Sequence, residues 1–188
     1  MKSQFSNLRH QLPLKALIFL SILIFSCKNK IPDIPKSDLL TLPSQTAKNF
    51  STVLTDSGQI QLILSSPLME KYDKADPQYA EFRLGIKVDL YDGKKVPSAK
   101  VTANYGKCTD GNLWELRDSV VVINESNEKL ETEVLFWNQD KDRIYTDRFV
   151  KITSEDEVIQ GIGFESDSHL EKRKILKVTA EITLKDEK

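Results

Sequence analysis

The sequence predicts an all-β body behind an N-terminal export segment. Three observations carry that expectation. From Phe50 onward the apolar residues recur with a period of two instead of a helical period. Turn-forming clusters interrupt the chain at intervals of roughly 8–12 residues, the spacing of a sandwich, jelly roll or barrel. The one stretch with helical potential, residues 66–78, is cut by Pro67 and Pro77.

The elements follow in order. Residues 50–55 and 59–65 form a hairpin about the turn Asp56-Ser57-Gly58, with Ile60, Leu62 and Leu64 alternating on one face. Residues 86–90 alternate strictly and end at Tyr91-Asp92-Gly93. Residues 100–105 alternate again until Asp110-Gly111-Asn112. Residues 114–123 make a longer strand that closes on four β-branched residues, Val120 to Ile123. Residues 130–137, 143–153 and 158–165 come next, separated by the polar turns 138–142 and 154–157. Residues 175–184 end the chain, with Val178, Ala180 and Ile182 alternating against Lys177, Thr179 and Glu181. One-sided apolar faces throughout mean one sheet face packs inward and the other meets water.

The N-terminal residues 1–26 carry Lys2, Arg9 and Lys15 and no acidic group. Their apolar run, Ala16 to Phe25, has the length of a secretory core and falls short of the roughly 20 residues a membrane-crossing helix needs. It ends Ile24-Phe25-Ser26-Cys27, which resembles a bacterial lipobox with Cys27 as the lipidated residue; Phe25 is bulkier than is usual there. The alternative is an uncleaved signal anchor over residues 12–25, interrupted by Pro13 and Lys15. Plain secretion is a third reading, and all three place the body outside the cytoplasm. Residues 27–46, with Pro32, Pro35 and Pro43, read as an extended tether, and residues 47–188 as the folded domain.

Composition excludes several classes. Lys+Arg 27 against Asp+Glu 28 leaves no cationic surplus for phosphate neutralisation, so no nucleic acid is expected as partner. Two Cys and two His cannot build a zinc ribbon or a disulfide scaffold. With His10 in the leader, His169 alone remains, too little for a triad or a metal centre. Gly161-Ile162-Gly163 lacks the third glycine and the strand-then-helix setting of a dinucleotide site, and crowding or a bulge explains it better. Asp140-Lys141-Asp142 lacks the glycine and distal Glu of a calcium loop. Cys108 reads as a buried apolar thiol. No cofactor, metal or enzymatic activity is expected.

Several stretches together resemble the LptC family of lipopolysaccharide-transport periplasmic proteins. They are Asn49-Phe50 with Asp56-Ser57-Gly58; Ser66-Pro67-Leu68-Met69-Glu70-Lys71-Tyr72; Glu81-Phe82-Arg83-Leu84-Gly85-Ile86; and Tyr91-Asp92. Thr102-Ala103-Asn104-Tyr105, Leu113-Trp114-Glu115-Leu116-Arg117-Asp118-Ser119-Val120 and Leu130-Glu131-Thr132-Glu133 with Leu135-Phe136-Trp137 continue the series. Asp142-Arg143-Ile144-Tyr145-Thr146-Asp147 through Gly161-Ile162-Gly163-Phe164-Glu165-Ser166-Asp167 looks like the repeat shared with OstA and LptA-type proteins. The resemblance covers about residues 49–167.

What the resemblance implies is an open, V-shaped β-jelly roll with an apolar trough at the periplasmic face of the inner membrane. Lipopolysaccharide would enter from an inner-membrane ABC transporter complex of the LptB, LptF and LptG type, and leave to a periplasmic bridge protein of the LptA type. The family usually carries a transmembrane helix, from which a lipobox departs. The inward sets nominate the trough: Ile60, Leu62 and Leu64; Ile86, Val88 and Leu90; Val101, Ala103 and Tyr105; Leu116, Leu130, Leu135 and Trp137; then Ile144, Val150, Ile152, Ile159 and Phe164. A charge at Val88 is expected to block the trough and leave the body folded. Two edge strands are the expected partner surfaces, through Phe50 and Val53 toward the extractor and Val178, Ala180 and Ile182 toward the bridge. The competing reading is a closed β-sandwich of structural or adhesive role, in which the same residues fill a core; a lipocalin-like carrier is a third.

Overall fold

The computed structural model describes residues 41–183 apart from positions 92, 94, 169 and 171. The body is all β. Its strands are β1 (Gln45–Asp56), β2 (Gln59–Tyr72), β3 (Tyr79–Phe82), β4 (Ile86–Leu90), β5 (Ala99–Ala103) and β6 (Tyr105–Thr109). Then come β7 (Leu113–Asn124), β8 (Lys129–Asn138), β9 (Arg143–Thr153), β10 (Glu157–Ser166) and β11 (Lys174–Thr183). All eleven join one antiparallel sheet.

The sheet runs in chain order once two interruptions are recognised. β2 pairs with β4 through residues 62–65 and with β3 through residues 70–72. β7 pairs with β5 through residues 121–124 and with β6 through residues 113–117. So β3 and β4 are one long strand broken at residues 83–85, and β5 and β6 are another broken at Asn104. The jelly roll is thus one meandering sheet. β1 pairs only with β2 and β11 only with β10, so no ladder among the described residues closes it into a barrel.

Faults in the strands fall opposite one another across this sheet. Asn49 (φ 50) lies across from Pro67. Next to Pro67 is the break before β4, where Gly85 has φ 93. Beyond it lie Asn104 and the bulge at Asp118 and Ser119 (φ 63 and 58). The register then shifts between Thr132 and Phe136 on β8, and between Ile162 and Phe164 on β10, where Gly163 has φ 79. A bulge bends its strand and adds local twist. Lined up from β1 to β10, these faults make a crease that divides the sheet into two arms. One arm holds β4, β5 and residues 120–124 of β7; the other holds β3, β6 and residues 113–117.

The crease explains where the sequence reading and the structure part. Residues 66–78 hold no helix. β2 continues through Pro67 to Tyr72, a cis Asp76–Pro77 bond lies in the following turn, and β3 returns. Pro67 is tolerated because its missing N–H falls where β2 has left β4 and not yet met β3. Ser66 Oγ donates to Gly85 O at 2.7 Å across that gap, and Tyr72 stacks on Tyr79 at 4.6 Å. β1 starts at Gln45, inside the stretch read as tether. β4, β5 and β7 to β11 lie within a residue or two of their expected bounds, whereas β3 and β6 are strands the alternation does not mark.

Ser119 is held at a φ that L-residues with branched side chains resist. Ser119→Val should therefore lower the unfolding free energy in urea by about 1–2 kcal/mol, whereas Ser119→Gly should not lower it. Equal losses in both variants would show that side-chain packing, not backbone conformation, matters at the crease.

Candidate functional site

The inner faces of the two arms meet along a continuous hydrocarbon core. Leu64, Ile86, Val120, Val122 and Val150 come from one arm, and Phe82, Leu116, Leu135, Ile144 and Phe164 from the other. Full burial of a Val or Leu side chain stabilises by roughly 1.5–3 kcal/mol, so this face holds the arms together. A cavity of about 40 Å³ remains between them, bounded by Leu62, Leu64, Val88, Leu90 and Val101 on one side and Trp114, Leu116, Leu135, Trp137 and Ile144 on the other. No charged or hydroxyl side chain lines it.

At the open side, away from the crease, lies a slit of about 160 Å³ that shares Leu62, Leu90 and Trp137 with the cavity. Leu54, Gln61, Tyr91 and Ser98 line one lip; Gln139, Ser168 and Leu170 line the other. Further along, Arg173 pairs with Glu128 from the β7–β8 turn, and Leu170 packs onto the core. Trp137 Nε1 donates to Ser168 Oγ at 2.8 Å, which orients its indole at the slit.

The structure brings most of the nominated trough residues to this inner face. Leu130, Ile152 and Phe164 line a second hollow beside Val122 and Leu170. Val150 is fully buried, Ile86 and Ala103 face the break at Gly85, and Ile159 lies opposite Ile152, half-buried. Two residues fall elsewhere. Leu54 pairs with Leu62 but Thr55 with Ile60, so a bulge at Gln61 turns Ile60 to the other face, where it is 40% exposed. The break at Asn104 likewise moves Tyr105 outward; it donates to Glu81 Oε1 at 3.0 Å and lies under the Arg117 guanidinium.

The inward residues of β6 are Gly106 and Cys108, and those of the adjoining strands include Trp114 and Phe82, stacked at 5.8 Å. Continuing the alternation through Asn104 puts Tyr105 inside and Gly106 outside, whereas Cys108 agrees with its reading as a buried thiol; the pair Asn104–Tyr105 before a glycine is the local signal of the switch. Val88 is 7% exposed and packed in the core. A charge there would be buried without a partner, so the expectation that an arginine at Val88 leaves the body folded is corrected.

The two edges are thinly covered. Phe50 turns inward onto Phe82 at 6.3 Å, while Val53 is 51% exposed. On β11 the pairs Gln160–Ala180 and Gly161–Val178 leave Thr179 as an extra residue, so Val178 and the pair Ala180 and Ile182 sit on opposite faces. Val178 is 54% exposed and Ile182 is exposed as well. A Cβ on Gly161 would lie 2.5 Å from Lys177 O, which explains the glycine by close strand approach.

The chain matches, over residues 15–182, the family described as Lipopolysaccharide-assembly, LptC-related. It belongs to that family. No curated protein matches it. Membership makes the protein a periplasmic component of lipopolysaccharide transport, from a family anchored at the inner membrane. Among the described residues no helix is long and apolar enough to cross a membrane, and no His, Cys, Asp or Glu cluster could hold a metal ion. Residues 1–26, Cys27 and most of the tether lie outside the described residues.

Burial pushes the Cys108 thiol up to about 11, and burial, aided by its bond to Glu81, pushes the Tyr105 phenol up to about 12. Both groups are neutral in the folded state at pH values where the unfolded chain begins to ionise. Their contribution is complete below about pH 9 and is lost as pH rises through the folded values. Urea unfolding should accordingly show falling stability from about pH 9 to 12. Cys108→Ala should flatten the lower part of that fall; an unaltered profile in this variant would contradict the assignment.

Proposed function

We propose that the protein binds lipopolysaccharide by its acyl chains between the two arms, and passes it from the inner-membrane ABC extractor to the next jelly-roll protein of a periplasmic bridge. The observation that carries this reading is the hydrocarbon cavity between the arms and the slit that shares its walls at the open side. Each acyl methylene removed from water is worth roughly 0.8 kcal/mol, so a long chain supplies ample drive and needs no catalytic group. A cavity of about 40 Å³ is far too small for such a chain. Loading therefore parts the lips, and the exposed Glu128–Arg173 pair is a weak clasp against that motion.

The free sides of β1 and β11 supply the handover surfaces. A strand added to either edge would continue the sheet, and with it the trough, into a neighbour. β1 would meet the extractor and β11 the bridge protein. A groove of this kind has no direction of its own, so the partner ATPase provides the energy. The tether, held by a lipidated Cys27 or by an uncleaved anchor, keeps the body within reach of the membrane.

Photocrosslinking residues at Leu54, Leu90 and Trp137 in living cells should capture lipopolysaccharide, and one at the outward, exposed Lys87 should not. Leu54 is half exposed at the slit, so Leu54→Arg leaves the core packed. It should cut capture at Trp137 by about tenfold, equivalent to about 1.4 kcal/mol. Equal capture at Lys87 and Trp137 would refute acyl binding between the arms.

A further inference from the structure

The connection between β10 and β11 crosses the open side of the trough. Both its ends belong to one arm, because Glu165 and Lys174 are a cross-strand pair. It is rooted on that arm's lip, where Ser168 N donates to Asp142 Oδ1 at 3.1 Å and Ser168 Oγ accepts the Trp137 indole N–H at 2.8 Å. It is fastened to the opposite lip by Arg173, which pairs with Glu128 of the β7–β8 turn. Between these two fixtures Leu170 packs against the core and walls both recesses of the mouth. One is the slit that holds Leu54 and Tyr91; the other is the hollow that holds Val122, Leu130 and Ile152. A single aliphatic side chain thus stands where the two apolar recesses meet.

This closure is easily undone. Leu170 sits at φ 61, a left-handed conformation that L-residues resist, so its packing works against backbone strain. Leu170 N donates to Asp167 O at 3.1 Å and Lys172 N to Asp167 Oδ1 at 3.3 Å, bonds that travel with the connection when it swings outward. What must be given up is the packing of Leu170 and the pair between Arg173 and Glu128. The acceptor of that pair is held ready: Asn124 Nδ2 donates to Glu128 Oε2 at 3.1 Å, and Asn124 Oδ1 accepts from Glu128 N at 3.0 Å.

We propose that the β10–β11 connection is a lid, with Leu170 as its stopper and the Glu128–Arg173 pair as its catch, and that the unloaded protein rests closed. Release of the lid joins the slit and the hollow into one apolar passage. The lid rests on the trough function proposed above and adds control of access to it; it concerns when the trough opens, not what it holds.

The test follows entry of the neutral dye N-phenylnaphthylamine into the full chain by stopped flow. Both Trp line the inter-arm cavity, so dye emission excited through tryptophan reports entry there. Glu128→Gln and Arg173→Gln should each speed entry about two- to fivefold, the worth of one exposed ion pair. The double variant should be no faster than either single one, because the two side chains act as one catch. Leu170→Ser should speed entry about tenfold, and Lys129→Gln, on the same turn but outside the catch, should leave it unchanged. A readout without dye is hydrogen exchange at the Leu170 amide, which should quicken in Glu128→Gln by the same factor as entry. Dye entry at one rate in the wild type and all lid variants, or equal acceleration by Lys129→Gln, overturns the lid and leaves the trough standing. Absence of tryptophan-excited dye emission from every variant sinks both.

Discussion

The fold depends on the alignment of strand faults across one sheet. Flat, an antiparallel meander with one apolar face would need a second layer to cover that face. Here the chain supplies the layer by folding the sheet along the line from Asn49 through Gly85 and Asp118–Ser119 to Gly163. Leu64 and Val88 then meet Leu116 and Leu135 from the far halves of the same strand system. The crease sets the depth of the trough, and the strand ends set its lips.

Such an arrangement separates two jobs that compete in a closed sandwich. In the function proposed above, the interior would bind by area, while the edge strands would keep backbone groups open for partners. Open edges are ordinarily an aggregation hazard. Lys172, Lys174 and Lys177, all exposed, line the C-terminal side and temper that hazard. Gly161 lets β11 approach β10 closely, so the edge is well seated even though its own side chains are little covered.

Much of this was legible in the amino-acid sequence. Alternation located β4, β7, β8, β9, β10 and β11 to within a residue or two, because a half-buried strand imposes a strict period. It failed where the period is broken. Gln61 and Asn104 each shift the parity, so Ile60 and Tyr105 fall on the outer face against the sequence expectation; Trp114, which keeps the parity of Leu116, is passed over at the very start of its strand. Pro67 and Pro77 suggested a bounded helix, since nothing local reveals that a strand is changing partners at Pro67. The crease is collective. Each fault is an unremarkable bulge on its own, and only the register of nine neighbouring strand pairings brings them into line.

The proposed function requires the two arms to part along that crease when a lipid tail enters. Spin labels at Ser126, on the β7–β8 turn of one lip, and Lys141, on the β8–β9 turn of the other, measure the separation directly. Addition of lipopolysaccharide should shift the distance distribution to longer values by several ångströms, with the shifted population reduced by Leu54→Arg. An unchanged distribution in protein shown to have bound lipopolysaccharide would contradict it, because the ligand would then lie somewhere other than between the arms.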